Sequence, residues 1–125
     1  MSKTVVIIED SLDSRIALKN VLSKFGYDVI GEAENGEKGI ELASLYKPDI
    51  VTVDILLPDM IAETVIQDIK SRGVKSKIIV VSALNNQQTI DQLKSKGANW
   101  YITKPFSPKE LKSALIYCEN TSKFT

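Results

Sequence analysis

The chain has no histidine and a single cysteine, Cys118. No disulfide can close within it and no CxxC pair exists. Zinc centres and histidine-based catalysis are excluded for the chain acting alone. It also lacks an excess of either charge, with 16 Lys and Arg against 16 Asp and Glu. A neutral total gives no electrostatic case for nucleic acid or a membrane surface. Long apolar runs are missing too: the longest, such as Val5-Val6-Ile7-Ile8, fall far short of a bilayer span. Met1-Ser2-Lys3-Thr4 leads straight into that run without the layout of a signal peptide, so a cytoplasmic location is expected.

What is present suits one domain. The chain has 125 residues and is 43% hydrophobic, enough for a real core. A domain over residues 1–119 and a polar tail over 120–125 are expected. Five short runs read as strands: Val5–Ile8, Val29-Ile30, Ile50–Val53, Ile78–Val81 and Trp100–Ile102. The first, third and fourth are apolar or β-branched at consecutive positions, as in parallel strands buried on both faces. Between the runs the period changes. Leu18, Val21, Leu22 and Phe25 recur at helical spacing, with Gly26 as a stop. Ala62, Val65, Ile66 and Ile69 repeat the pattern ahead of Gly73, and Leu111, Ala114, Leu115 and Cys118 repeat it again. Ser107, Pro108 and Glu110 form a capping-box start for that last helix. Less sharply patterned helices are expected near 36–46 and 86–96. Alternating β and α units imply an α/β fold, a parallel sheet with helices on both faces and strand order 2-1-3-4-5.

In such a sheet, chemistry gathers at the carboxyl ends of the strands. The first run ends in Glu9-Asp10, the third in Asp54 and the fourth in Ser82, and the fifth is followed by Thr103-Lys104-Pro105. Three carboxylates brought together repel unless something compensates. Mg²⁺, a hard cation that prefers oxygen, does so. Lys104 adds a point positive charge for an anion, and Ser82 a hydrogen-bond donor. This set meets the needs of phosphoryl transfer to a carboxylate. Taken singly, each residue has a plainer reading. Asp10 or Ser11 would cap a helix, Asp54 would be a loop residue before Pro58, Ser82 a turn residue and Lys104 a solvated lysine. Tyr101 and Cys118 would be core. Their joint placement at four strand ends favours the functional reading.

The same residues resemble the receiver family of response regulators, from Val5 to about Cys118. The likeness is carried by Ile7-Ile8-Glu9-Asp10, by Asp49-Ile50-Val51-Thr52-Val53-Asp54 with Pro58, by Ser82-Ala83, and by Tyr101-Ile102-Thr103-Lys104-Pro105-Phe106. It implies a flavodoxin-like, doubly wound five-stranded sheet. It implies a signalling switch in which Asp54 takes a phosphoryl group from a phosphohistidine of a histidine kinase or histidine phosphotransfer protein. Mg²⁺ would be held by Asp10, Asp54 and the carbonyl of Leu56, with Glu9 acting through a metal-bound water. Lys104 would contact the phosphoryl group. Ser82 would hydrogen-bond it in the active state, while Tyr101 swaps between outward and inward rotamers. Phe106 would pack beneath the Lys-Pro turn. The output would go to a protein target, with no direct nucleic-acid contact and no membrane insertion.

Two departures stand out. The family often has Asp-Gly after the Pro-x-Met element, whereas Met60 is followed here by Ile61-Ala62-Glu63, so the loop over 59–63 is expected to take another path. The acidic pair is Glu-Asp rather than Asp-Asp. Other readings remain: a fragment of a larger regulator with a missing output domain, a protein-binding pseudo-receiver, or a small haloacid-dehalogenase-type phosphatase. Leu56, two past Asp54, breaks the pattern of the last. The family usually signals through the face of helix 4, strand 5 and helix 5. Its dimerising transcription regulators carry acidic residues where this chain has Asn99-Trp100, and helix 5 here offers only Lys109 and Lys112.

Overall fold

The computed structural model describes residues 3–121. Its elements, in chain order, are β1 (Thr4–Ile8), α1 (Leu12–Lys24), β2 (Asp28–Ala33), α2 (Gly36–Tyr46), β3 (Ile50–Val53), α3 (Ala62–Ser71), β4 (Lys77–Ser82), α4 (Gln87–Ser95), β5 (Trp100–Thr103) and α5 (Pro108–Thr121). The strands form one parallel sheet in the order β2-β1-β3-β4-β5. Helix α5 continues past the domain end expected at residue 119, and residues 122–125 of the expected tail lie outside the described residues.

The consecutive apolar residues of the inner strands explain this architecture. All of β3 and β4, and β1 from Val5 onward, are buried. Alternate side chains supply two cores, one on each face. Val6, Ile8, Val51, Val53, Ile78 and Val80 meet residues of α2, α3 and α4 on one face. Val5, Ile7, Ile50, Ile79, Val81 and Ile102 meet α1 and α5 on the other. Cys118 belongs to this second core, and burial pushes its thiol up to about 11.

The helix ends follow the local chemistry. Ser11, not Asp10, caps α1, accepting from the Ser14 N–H at 3.3 Å. The capping box of α5 is reciprocal: Glu110 N–H donates to the Ser107 hydroxyl at 3.2 Å, and Ser107 N–H to the Glu110 carboxylate at 3.1 Å. Gly26, Gly73 and Gly97 follow α1, α3 and α4 with positive φ.

One glycine inside a helix is explained by a close approach. A Cβ on Gly39 of α2 would lie 2.4–2.9 Å from three side-chain carbons of Ile8, the residue just before Glu9. Alanine improves helix propensity by about 1 kcal/mol, but here it must displace the end of β1. Gly39→Ala should therefore lower stability by about 1–2 kcal/mol in urea unfolding, in keeping with an overpacked core. An unchanged or raised midpoint would show that Ile8 yields freely.

Candidate functional site

Parallel pairing of the two central strands brings the acids together. Ile8 lies beside Val53 in the sheet, so the next residues, Glu9 and Asp54, emerge side by side. Asp54 N–H extends the ladder by donating to the Ile8 carbonyl at 3.0 Å. Glu9 and Asp54 are buried and Asp10 is exposed. Carboxylate oxygens of Glu9, Asp10 and Asp54 lie within 4.8 Å of one another. On the far side of β4, Lys104 N–H donates to the Ser82 carbonyl at 2.8 Å. The Lys104 ammonium thus reaches back over the strand ends, 2.5 Å from Glu9 Oε1 and 3.1 Å from Asp54 Oδ2. The Lys104-Pro105 peptide is cis, and Phe106 packs against the core on the α1 and α5 side.

The charges act on one another as this crowding requires. Burial raises the Glu9 carboxyl above its ordinary range; Lys104 pulls it down and Asp54 pushes it up further. Burial pulls the Lys104 ammonium down, but Glu9 and Asp54 outweigh that and hold it above the usual lysine value. One lysine therefore serves two acids, and Glu9 remains on balance uncomfortable as an anion. The donors gathered here are all oxygen, the set a hard divalent cation takes. They fit Mg²⁺ on chemistry as well as spacing. Leu56 N–H is directed at Asp54 Oδ1, at 3.2 Å, which fixes the loop after β3 against the acid.

The groups beyond the cluster are linked by hydrogen bonds. Ser82 is fully buried, and its hydroxyl oxygen accepts from the Leu84 N–H at 3.3 Å. The carbonyl of the same residue, Leu84, accepts from the Tyr101 hydroxyl at 2.5 Å. Tyr101 is partly buried and packs with the α2–α3 core. Burial raises its pKa, Ser82 opposes that and Asp54 adds to it. The tyrosine thus lies within the electrostatic reach of the acid cluster.

Three further residues belong to this region, none of them apparent from the spacing of strand ends. Arg15, from the first turn of α1, donates to the carbonyls of Glu9 at 2.7 Å and Asp10 at 3.3 Å, and pairs with Glu32 at 3.5 Å. It fastens the acidic loop from behind. The Ser14 hydroxyl lies 3.4 Å from the Lys104 ammonium. Asp59 accepts from the N–H groups of Gly36 and Glu37 at 2.8 and 2.9 Å, capping α2 from the β3–α3 loop. Burial raises its pKa, but the backbone N–H groups of Gly36, Glu37, Asp59 and Met60 together outweigh that and hold the carboxyl below its ordinary value. The loop uses no positive φ, α3 starts after Ile61 without a side-chain cap, and Asp59 ties the loop to α2.

The raised Glu9 pKa has a consequence for stability. In the unfolded chain Glu9 titrates near its ordinary value; in the folded chain it titrates higher. Its contribution is therefore full below the unfolded pKa and is lost as pH rises through the folded one. Without divalent cations, stability should fall across that window, and Glu9→Gln should abolish this part of the fall. At pH 7 the variant should be more stable than the parent, read as a higher melting temperature. A variant less stable than the parent at pH 7 would mean that the Lys104 pair dominates instead.

Comparison with known proteins agrees with this arrangement. The response regulator receiver domain family matches residues 5–116. The chain is 40% identical over 115 residues to the chemotaxis protein CheY of Thermotoga maritima, covering 92% of this chain and 96% of that one. It is 33% identical to CheY of Bacillus subtilis, with the same coverage of each. Among solved structures, the CheX-CheY-BeF3-Mg+2 complex from Borrelia burgdorferi superposes with a TM-score of 0.87 at 26% identity, covering 98% of this chain and 90% of that one. With its sheet order, acid cluster and family match all in agreement, this chain belongs to the response regulator receiver domains, the phosphoacceptor switches of two-component signalling.

Proposed function

We propose that Asp54 is the phosphoacceptor and that Mg²⁺ is held by Asp10, Asp54 and the Leu56 carbonyl, with Glu9 contributing through a bound water. The observation that carries this is the acid cluster with one ammonium 3.1 Å from the Asp54 carboxylate. A carboxylate oxygen of Asp54 attacks the phosphorus of a partner's phosphohistidine. An O–P bond forms, the P–N bond breaks, and the imidazole leaves with the electron pair. The metal supplies charge neutralisation for the transferred oxygens when bound. Lys104 is placed to shift from Asp54 and Glu9 to a phosphoryl oxygen. Ser82 donates its own hydrogen to another while still accepting from Leu84.

The donor is a histidine kinase or a histidine phosphotransfer protein, since this chain brings no histidine of its own. An apolar cleft of about 480 Å³ between α1 and the β5–α5 turn, including Leu18, Val21 and Phe106, opens beside Glu9 and Lys104 and offers such a partner a foothold. No described helix is long and apolar enough to cross a membrane, and a cytoplasmic setting suits transfer from a kinase. The domain itself promotes transfer and hydrolysis and needs no separate enzyme for either. With acetyl phosphate and Mg²⁺, the parent should gain the mass of one phosphoryl group, and Asp54→Asn should gain none. Labelling of the variant at the parent's rate would overturn the assignment of Asp54.

The output face is formed by α4, β5 and α5. Trp100 is half-buried against the core and packs on Tyr117, ring centres 4.5 Å apart and tilted by 52°. Tyr117 and Ile116 beside it on α5 are exposed. The residues that a charged homodimer seam would draw on are engaged within the domain. The Asn99 side chain accepts from Ile78 N–H at 2.8 Å, and the Lys112 ammonium lies 4.9 Å from the centre of the Phe25 ring. The activated protein therefore engages a different protein through the Trp100–Tyr117 surface. Sedimentation with beryllofluoride and Mg²⁺ should show a monomer. Trp100→Ala should weaken capture of the activated chain's target by about tenfold, as aromatic anchors commonly do. A tight activation-dependent dimer would refute this.

A further inference from the structure

The sheet has a second charged edge, opposite the acid cluster. There the segment before β1, the α2–β3 and α3–β4 loops and the last turns of α5 enclose a cavity of about 520 Å³. Its charged lining consists of Lys3, Lys47, Lys75 and Lys77 with the two acids Asp49 and Glu119. Both acids also accept hydrogen bonds from β1 or from Tyr27. Asp49 Oδ2 accepts from the Thr4 N–H at 2.8 Å and the Thr4 hydroxyl at 3.1 Å, and Glu119 accepts from the Tyr27 hydroxyl. In a chain that is neutral overall, four lysines face two acids around one concavity.

Helix dipoles do not account for that surplus. Basic residues commonly gather at helix C-termini, and Lys24, Lys70 and Lys94 in the last turns of α1, α3 and α4 fit that rule. Lys3 and Lys75 lie outside the helices, and Lys77 opens β4. Lys47 is unusual in its backbone. It ends α2 in the left-handed region, at φ 46° and ψ 59°, where α1, α3 and α4 are followed by glycine. A side chain is disfavoured there, yet a lysine occupies the lip of the cavity. Nearby, burial lowers the Lys70 ammonium and repulsion from Lys77 lowers it further.

We propose that this lysine-lined cavity binds a small multivalent phosphate, either free pyrophosphate or the diphosphate group of a nucleotide. Lysines act as mobile point charges well suited to phosphate oxygens, and the volume is that of an ordinary small-molecule site. The ligand would sit at the amino-terminal edge of β3 and β4, the same strands that carry Asp54 and Ser82 at their other ends. The site is therefore placed to report a metabolite to the switch without competing for the acceptor.

The test is amide NMR of the full chain in EDTA, titrated separately with inorganic pyrophosphate and with adenosine diphosphate. Saturable shifts are expected at residues 47–50 and 73–77. Lys47→Gln combined with Lys75→Gln, two exposed positions remote from the acceptor, should weaken binding by at least about tenfold. A spectrum unchanged elsewhere checks that the variant is folded. Equal affinity for both ligands identifies free diphosphate as sufficient, and tighter binding of the nucleotide identifies a base-bearing ligand. Shifts confined to Asp54 and Lys104, shifts that never saturate, or a variant with the parent's affinity would overturn the proposal.

Discussion

The arrangement at the carboxyl edge depends on an imbalance: parallel pairing pushes three carboxylates together and one ammonium holds them. Two like charges about 4 Å apart repel by about 4 kcal/mol at the effective dielectric of a protein surface. The sheet register leaves Glu9 and Asp54 no way to separate, because the residues before them are paired in the ladder. Lys104 reaches both from the far side of β4. A point charge on a flexible stem suits this task, since the same ammonium can hold two carboxylates or move to a phosphoryl oxygen. Negative charge that is only partly compensated is what makes the pocket receptive to a divalent cation.

The scaffold keeps that strained pocket in place by fastening its loops rather than its side chains. Arg15 holds the Glu9 and Asp10 carbonyls, so the acidic loop cannot relax outward when its carboxylates repel. Asp59 holds the β3–α3 loop to α2, and Leu56 N–H fixes the near end of that loop to Asp54. Gly39 lets α2 lie close enough to β1 for both anchorages to meet. Each of these contacts lies off the chemistry, yet together they set where the acids stand.

Much of this was readable from residue order, and the unreadable part has a physical pattern. Consecutive apolar residues in β1, β3 and β4 announce burial on both faces, and alternation with helical periods announces the parallel sheet. Ser107 and Glu110 stand at capping-box spacing, and the box is formed. Strand-end polarity located Glu9, Asp10, Asp54, Ser82 and Lys104, because in a parallel sheet sequence position after a strand is already position in space. Contacts between elements distant in sequence were hidden. Asp59 looks like a loop acid until α2 is seen beside it, and Arg15 looks like an exposed helix arginine until the β1–α1 turn folds over it. The β3–α3 loop is held to α2 by a contact 22 to 23 residues away, which no local pattern reveals.

The same distinction between local and distant contacts bears on how the switch transmits. Converting a population from 1:99 to 99:1 takes about 5.5 kcal/mol of differential stabilisation, whereas one charge-assisted hydrogen bond contributes about 1.5–3 kcal/mol. On the proposed assignment, Lys104 alone would be too weak a lever, and Ser82 would have to act with it. The hydroxyl of Ser82 can donate to a phosphoryl oxygen while its oxygen keeps the Leu84 N–H, so the two bonds do not compete. On the proposed assignment, capture of a phosphoryl group by Ser82 would pull on the β4–α4 turn and with it the Leu84 carbonyl. That carbonyl holds the Tyr101 hydroxyl, and Trp100, next to Tyr101 on β5, packs on Tyr117. Leu84 thus stands between the acceptor side and the aromatic surface, with its N–H bonded to Ser82 and its carbonyl to Tyr101.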